Sequence, residues 1–157
     1  MNIQSRNLRA FFLAVTLPFI AFFLIAPAQA GSDTASKAKT VFSQALKLLK
    51  KRQFNSAIKK LTLVIDQKSK GNNLQGLAYY NRGLAYQGLG KLKLARSDYT
   101  SAINLKTLNN KILKVVYYNR GLVHDGLKRP NAAMADFRSA IEKSPKYSPA
   151  YHNLGNL

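Results

Sequence analysis

The side chains that could carry acid–base chemistry in this chain are few and widely separated. His124 and Asp125 are adjacent, but all 157 residues include only one other histidine and five other carboxylates. There is no cysteine, which excludes thiolate nucleophiles and cysteine-bound zinc or iron–sulfur clusters. No serine, lysine or second carboxylate is spaced to serve His124 as a catalytic partner. The sequence therefore predicts a protein that is not an enzyme and has no metal site and no cofactor.

Positive charge is the second chemical feature of the chain. There are 25 Lys and Arg residues against 6 Asp and Glu, a formal net charge of +19. Seven of the basic residues form three compact groups that recur at similar intervals: Lys50, Lys51 and Arg52; Lys91 and Lys93; Lys128 and Arg129. Such charge attracts anionic partners. Nucleic acid is not favoured among them, because no nucleic-acid-binding motif is present.

The first thirty residues have the pattern of a secretory signal peptide. Two arginines precede an uncharged apolar run over residues 10–26, and an Ala-x-Ala sequence ends at Ala30. The run is shorter than the roughly 20 residues that span a membrane and is interrupted by Pro18. We predict cleavage after Ala30 and a periplasmic or secreted protein, with an uncleaved N-terminal membrane anchor as the alternative. Cleavage removes only two of the arginines and no acidic residue, so the mature chain keeps a strong positive charge.

An internal repeat organises the rest of the sequence. Three small residues, Ala45, Gly83 and Gly121, recur at equal intervals, and Gly155 follows after a slightly shorter step. Similar residues recur 12, 16, 19 and 20 positions after the first three: Ala57, Ala95 and Ala133; Leu61, Tyr99 and Phe137; Val64, Ala102 and Ala140; Ile65, Ile103 and Ile141. A period of this length indicates a stack of similar structural units.

Each copy divides into two stretches of helical periodicity separated by a turn. The predicted helices are 36–51 and 54–66, 75–88 and 91–105, 112–126 and 130–143, with a last helix over 149–156. Gly83 and Gly121 lie within helices, where glycine costs about 1 kcal/mol relative to alanine. We expect that this cost is tolerated because the paired helix, with Ala95 or Ala133, crosses closely there.

Two equivalent positions in the second and third copies carry opposite charges. Arg82 and Arg120 are each followed, sixteen residues later, by Asp98 and Asp136. The first copy lacks both charges and has Gln44 and Lys60 instead. Since arginine and aspartate are present or absent together, we predict a salt bridge that joins the two helices of a hairpin. This assigns these residues a structural role.

The repeats resemble the tetratricopeptide repeat. The resemblance rests on Tyr-Tyr-Asn-Arg-Gly-Leu over residues 79–84 and again over 117–122, with the later alanine, aromatic and isoleucine columns. It implies an all-α fold, an α-solenoid in which about three antiparallel helical hairpins and a terminal half repeat form a right-handed superhelix. With the signal peptide 1–30 and a short polar leader 31–37, whose Ser and Thr can cap the first helix, the expected repeat domain is 38–157, with repeats 38–71, 76–109, 114–147 and a partial 148–157.

The steps of the repeat differ in length. The steps from 45 to 83 and from 83 to 121 each contain four residues more than the step from 121 to 155, and the extra residues lie near 68–75 and 106–113. Four residues are close to one helical turn. We therefore expect that a helix lengthens there and keeps its buried face.

The resemblance also implies a binding surface, a concave groove lined by the first helix of each repeat. The implied groove residues are Phe42, Leu46, Tyr80, Asn81, Leu84, Tyr118, Asn119, Leu122, His152 and Asn153. An asparagine side chain both donates and accepts hydrogen bonds, so the asparagine column suits a peptide backbone or, alternatively, ties one repeat to the next. Some relatives hold a terminal carboxylate with Lys and Arg at positions that here are Phe42, Leu46 and Val115, so that clamp is not expected.

These observations predict a protein–protein interaction scaffold that binds a peptide or protein partner in the groove. The alternative is a structural envelope protein held to an anionic membrane or cell-wall polymer by the three basic groups, which stacking would align as a ridge at the hairpin turns. The last helix is expected to pack Tyr151, Leu154 and Leu157 on the preceding hairpin. Its uncovered outer side predicts weak self-association.

Overall fold

The structure, a computed structural model, describes residues 17–67 and 73–157. These residues form seven α-helices and no β-strand: α1 (Leu17–Lys50), α2 (Phe54–Asp66), α3 (Asn73–Gly88), α4 (Leu92–Asn104), α5 (Asn110–Gly126), α6 (Pro130–Lys143) and α7 (Ser148–Gly155). The chain divides into two compact units, Met1–Lys37 and Ala38–Leu157, and the helical hairpins lie in the second. The predicted ends of α2 and α6 are confirmed, and those of α3, α4, α5 and α7 agree within two residues.

The start of α1 differs from the prediction. The helix runs through residues 31–37, so the polar leader does not cap a helix start. Alanine precedes Gly31 at position 30 and returns at position 35, and one internal glycine costs only about 1 kcal/mol. In the part of the chain that the structure describes, no helix is long and apolar enough to cross a membrane. The predicted signal peptide includes residues 1–16, which lie outside the described residues.

Three apolar clusters hold the helices together, one for each hairpin. The first joins α1, α2 and α3 around Leu61, the second joins α3, α4 and α5 around Tyr99, and the third joins α5, α6 and α7 around Phe137. These three side chains are almost fully buried. Each helix thus buries apolar surface against its neighbours in chain order, as expected for stacked repeats.

The two mid-helix glycines make room for aromatic rings. A Cβ atom on Gly83 would lie 2.6 Å from Cε1 of Tyr99, and one on Gly121 would lie 2.6 Å from Cε1 of Phe137. The predicted close approach is therefore confirmed. The atoms that a Cβ would meet belong to the Tyr99 and Phe137 rings on the paired helices.

The four extra residues of the second step lengthen a helix, as predicted. Helix α5 begins eleven residues before Gly121, whereas α7 begins only seven before Gly155. The loop before α5 ends at Asn109, whose Oδ1 accepts a hydrogen bond from the Ile112 backbone N–H at 3.1 Å and caps the helix. Leu108 in the same loop is buried against the second cluster. In the first step, residues 68–72 lie outside the described residues.

The terminal helix α7 packs differently from the prediction. Ala150 and Leu154 join the third cluster, but Tyr151 is 51% exposed and Leu157 is 43% exposed. Ala150 and Leu154 are four residues apart and share one helix face, whereas Tyr151 is rotated by about 100° from Ala150. The expectation that Tyr151 and Leu157 pack inward was therefore wrong, and the helix is anchored by Ala150 and Leu154.

Candidate functional site

The first helices of neighbouring repeats lie side by side and are joined by repeated tyrosine–asparagine pairs. Asn119 on α5 donates through Nδ2 to the Tyr80 hydroxyl on α3 at 3.4 Å. Asn153 on α7 donates through Nδ2 to the Tyr118 hydroxyl on α5 at 3.1 Å and also to the Pro149 carbonyl oxygen of its own helix at 2.9 Å. The structure thus forms the same polar pair twice, in a row that crosses three first helices.

The paired tyrosines are held by ring packing. The Tyr80 ring lies 6.1 Å from that of Tyr99, and the Tyr118 ring lies 5.8 Å from Phe137 and 5.5 Å, edge to face, from Tyr147. Burial is the main cause that raises the pKa of the Tyr80 phenol above its usual value. The Tyr80 hydroxyl therefore keeps its proton at neutral pH and can donate it.

Each pair retains hydrogen-bonding capacity beyond the tie itself. In the described residues no group donates to Oδ1 of Asn119 or Asn153. The tyrosine hydroxyl that accepts from asparagine still has a proton to donate. One pair therefore presents one donor and one acceptor, the complement of a peptide group. The inter-repeat tie is present in the structure, and recognition of a peptide backbone stays a prediction.

The N-terminal end of this row is apolar. The residue equivalent to Tyr80 in the first repeat is Phe42, which has no hydroxyl and packs on the first cluster. Asn81, the equivalent of Asn119, donates to the Leu77 carbonyl oxygen at 2.8 Å instead. Leu46 lies half-buried one turn further along α1. The row therefore combines an apolar end with two polar pairs.

The other implied groove residues lie on the same first helices. Leu84 packs partly on the second cluster and Leu122 partly on the third. His152 is exposed, and its Nε2 lies 3.1 Å from Nδ2 of Asn156. We call the following residues the groove strip, and all but His152 are partly buried: Phe42, Leu46, Tyr80, Asn81, Leu84, Tyr118, Asn119, Leu122, His152 and Asn153.

The predicted salt bridges are confirmed and are part of a larger network. Nε and Nη2 of Arg82 both bind the Asp98 carboxylate at 2.8 Å, and Arg120 binds Asp136 in the same way at 2.8 and 2.7 Å. The hydrogen bonds to Asp98 are the main cause that raises the Arg82 pKa. Side-chain exposure is 16% and 18% for the arginines and 7% and 6% for the aspartates. These pairs therefore lie mostly out of water.

Each arginine also reaches back to the preceding repeat. Arg82 Nη1 donates to the Thr62 hydroxyl at 2.9 Å, and Arg120 Nη1 donates to that of Thr100 at 3.1 Å. These threonines were not predicted, although they are spaced along the sequence as the two arginines are. One guanidinium thus joins the helices of its hairpin and links that hairpin to the one before it.

His124 does not form a dyad with Asp125. Its Nε2 lies 3.8 Å from the carboxylate of Asp136, which Arg120 already binds, and Asp125 is exposed. In the described part of the chain His124 Nδ1 has no hydrogen-bond partner. Burial is the main cause that lowers the His124 pKa. Within residues 17–67 and 73–157, no group of His, Asp and Glu could hold a metal ion.

The seven basic residues of the three turns are all exposed. Three equivalent backbone positions in these turns have left-handed conformation, Arg52 (φ 57°), Gly90 (φ 70°) and Lys128 (φ 59°), so two of the seven basic residues occupy such a position. Glycine adopts this conformation without strain, whereas arginine and lysine do not. We call this surface the turn edge, and its basic residues are Lys50, Lys51, Arg52, Lys91, Lys93, Lys128 and Arg129.

Comparison with known proteins agrees with this geometry. The family model of the tetratricopeptide repeat matches residues 77–107 and 115–147. No curated protein gave a significant match. Among solved structures, the first TPR of Spaghetti (RPAP3) bound to the HSP90 peptide SRMEEVD is 25% identical, with a TM-score of 0.68 over 77% of this chain and 90% of that one.

Two further structures have the same fold. The Arabidopsis OM64 TPR domain is 25% identical, with a TM-score of 0.67 over 77% of this chain and 93% of that one. The second TPR domain of human RPAP3, in complex with the HSP70 peptide SGPTIEEVD, is 23% identical, with a TM-score of 0.68 over 78% and 95%. Residues 77–107 and 115–147 thus match the tetratricopeptide repeat, and the described part of Ala38–Leu157 is an all-α helical repeat solenoid.

Proposed function

We propose that the groove strip binds an extended segment of a partner protein. The repeated pairs Tyr80–Asn119 and Tyr118–Asn153 are the observation that carries this proposal, because each offers one donor and one acceptor to a peptide group. The two pairs lie on successive first helices, so a peptide that crosses these helices would meet them one after the other.

Structural relatives support a peptide ligand but suggest a different chemistry at its ends. The first TPR of Spaghetti is bound to the peptide SRMEEVD. In this chain the positions of a carboxylate clamp carry Phe42, Leu46 and Val115, none of which can pair with a carboxylate. The partner segment that we propose is therefore an internal, extended stretch with apolar side chains toward the α1 end. It is not an acidic C-terminus.

We propose that this binding takes place outside the cytoplasm, in the periplasm or after secretion. The support is the sequence pattern of residues 1–30, with its arginines, its apolar run and the Ala-x-Ala ending at Ala30. The role is that of an adaptor without catalytic activity. Detection of a protein that begins at Gly31 in the envelope fraction would support this location, and a full-length cytoplasmic protein would contradict it.

Selection from a random dodecapeptide library on the full chain tests the groove proposal. The selected peptides are titrated against a variant with Tyr80→Phe and Tyr118→Phe, which keeps both rings and removes both hydroxyls. Loss of two hydrogen bonds of about 1 kcal/mol each predicts a dissociation constant about thirtyfold higher. The matched control is Tyr79→Phe with Tyr117→Phe, since these neighbouring rings lie over Arg82 and Arg120 and outside the strip. Equal affinities for the two double variants would contradict groove binding.

The peptide SRMEEVD gives a second, independent outcome. Because the strip has no cationic clamp, we expect no measurable binding of this peptide at concentrations that saturate the selected ones. Tight binding of SRMEEVD would show that the chain recognises an acidic terminus by residues other than those at the clamp positions.

We also propose weak self-association through α7. The support is the exposure of Tyr151 and Leu157 beside the packed face of this helix. Sedimentation equilibrium over a range of concentrations should give a rising mean mass for the native chain and a lower one for Tyr151→Ser with Leu157→Ser. A native chain that remains monomeric at millimolar concentration would exclude this contact.

A further inference from the structure

The turn edge is a second surface that the groove strip does not use. Its three turns recur at Arg52, Gly90 and Lys128, and each exposes at least two basic side chains. The second turn uses glycine for the left-handed position, as the backbone favours. The first and third keep Arg52 and Lys128 there, although a side chain strains this backbone conformation. These two turns therefore carry a basic side chain at a position where glycine would be free of strain.

Few acidic groups offset this charge. Asp98 and Asp136 are buried in ion pairs within the hairpins. Asp66 ends α2 and Glu142 lies near the end of α6, so both are at the opposite end of their hairpins. Asp125, exposed near the end of α5, is the one carboxylate close to the turns among the described residues. The turn edge therefore has a strong excess of positive charge.

An apolar cleft opens in the middle of this charged edge. It has a volume of about 410 Å³ and lies between the second and third turns. Leu92, Leu94 and Leu127 line it, and the exposed Lys91 and Lys93 stand at its rim. Leu94 is a large apolar side chain, yet it is 47% exposed in the same cleft as Lys91 and Lys93. The equivalent cleft between the first and second turns, about 340 Å³, is lined mainly by polar groups such as Gln53 and Asn55.

We propose that the turn edge docks on an anionic lipid bilayer, with Leu94 and its cleft inserted among the headgroups. Lysine and arginine near an anionic membrane surface are attracted to it, and leucine gains by leaving water for the acyl boundary. A soluble polyanion would need the lysines but would leave Leu94 in water. The combination of an apolar cleft with a basic rim therefore favours lipid over polymer. This surface is distinct from the groove strip, so a partner segment and a membrane can be bound together.

The absence of cysteine allows a direct test on the full chain. A single Leu94→Cys variant carries an environment-sensitive fluorophore and is mixed with vesicles of pure phosphatidylcholine or of phosphatidylcholine with a minority of phosphatidylglycerol. The matched control is Leu63→Cys, since Leu63 is 53% exposed but lies nine residues into α2, about 13 Å along the helix from its start at the turn. Both proteins contain the same residues 10–26, so adsorption through that segment affects both labels alike.

With anionic vesicles we expect a blue shift of the label at position 94 and quenching by brominated lipid, and neither effect at position 63. Addition of Arg52→Gly and Lys128→Gly removes two charges and relieves the left-handed strain. At about fivefold per charge, this change predicts lipid partitioning more than tenfold weaker in a protein that is at least as stable.

Three outcomes would overturn the proposal. One is a label at position 94 that stays in water while the chain binds the vesicles. Another is an equal shift at positions 63 and 94. The third is a chain that binds soluble polyphosphate tightly while the label at position 94 is unaffected by anionic vesicles, which would assign the edge to a polymer.

Discussion

The first hairpin, α1–α2, differs from the two that follow it in three equivalent places. Where the later hairpins pair glycine with an aromatic ring, the first has Ala45 and Leu61. Where they bind arginine to aspartate, it has Gln44 and Lys60. Where they present a tyrosine hydroxyl to asparagine, it has Phe42, which offers Asn81 no hydroxyl.

In each hairpin, the residue at one of these positions is matched to its partner on the neighbouring helix. A smaller Leu61 leaves space for the Cβ of Ala45, so size complementarity is kept in every hairpin by a different pair. The arginine–aspartate pair is present as a whole in the later hairpins and absent as a whole from the first, because a buried charge without its partner is costly. The arginine–aspartate and tyrosine–asparagine pairs therefore lie in α3 to α7, and the first hairpin forms the apolar end of the row.

The largest effect should come from breaking an ion pair that the first hairpin lacks. Asp136→Ala leaves the largely buried Arg120 without its carboxylate, and we expect a loss of about 2–4 kcal/mol in the free energy of unfolding. Lys60→Ala, at the equivalent position of the first hairpin, should change it by less than about 0.5 kcal/mol. Urea unfolding monitored by circular dichroism measures both. Equal losses in the two variants would show that the network adds nothing to the later hairpins.

A smaller effect should follow from exchanging the size-matched pair of the third hairpin for that of the first. Gly121→Ala places a Cβ 2.6 Å from the Phe137 ring, and we expect a net cost of about 1–2 kcal/mol after the gain in helix propensity. Adding Phe137→Leu recreates the Ala45–Leu61 combination and should make the double variant more stable than the sum of the two single changes predicts. Additive losses across this double-mutant cycle would contradict the size-matching account.

The smallest expected effect is a pH dependence of stability that comes from His124 in the third hairpin. The equivalent residue of the second hairpin is Tyr86. Burial lowers the His124 pKa, while Asp136 opposes the shift and Arg120, Arg96 and Arg129 add to it. The unfolded chain therefore binds a proton more readily, and the free energy of unfolding should fall as pH decreases through about 6.5. His124→Tyr should remove this part of the decline between about pH 8 and 5.5. Identical pH profiles for the two proteins would exclude His124 as its source.

The extent to which the sequence predicts this molecule depends on whether a signal repeats. The Arg82–Asp98 pair was predictable because both residues are absent together from the first copy, and the lengthened α5 followed from the four extra residues. Thr62 and Thr100 were missed because their bonds depend on how one hairpin stacks on the next. The exposure of Tyr151 was misjudged because its equivalents Tyr79 and Tyr117 each lie against an arginine of the same helix. The equivalent position in α7 is Leu154.

The groove strip was located from the sequence only as a set of helix positions. Asparagine spacing left two uses open, and the structure shows that Nδ2 of Asn119 and Asn153 ties the repeats while Oδ1 remains available. These different uses of Nδ2 and Oδ1 depend on the tyrosine hydroxyl of the preceding repeat, which is distant along the chain. No local sequence pattern predicts this contact.

The most direct test of the groove account is the affinity of one selected peptide for proteins with one, two and three tyrosine–asparagine pairs. Tyr118→Phe leaves one pair, the native chain has two, and Phe42→Tyr gives Asn81 a hydroxyl partner and so makes three. At about 0.5–1.5 kcal/mol per hydrogen bond, the dissociation constant should fall about two- to twelvefold at each step. A constant that is the same for all three proteins would contradict the claim that these pairs recognise the peptide backbone.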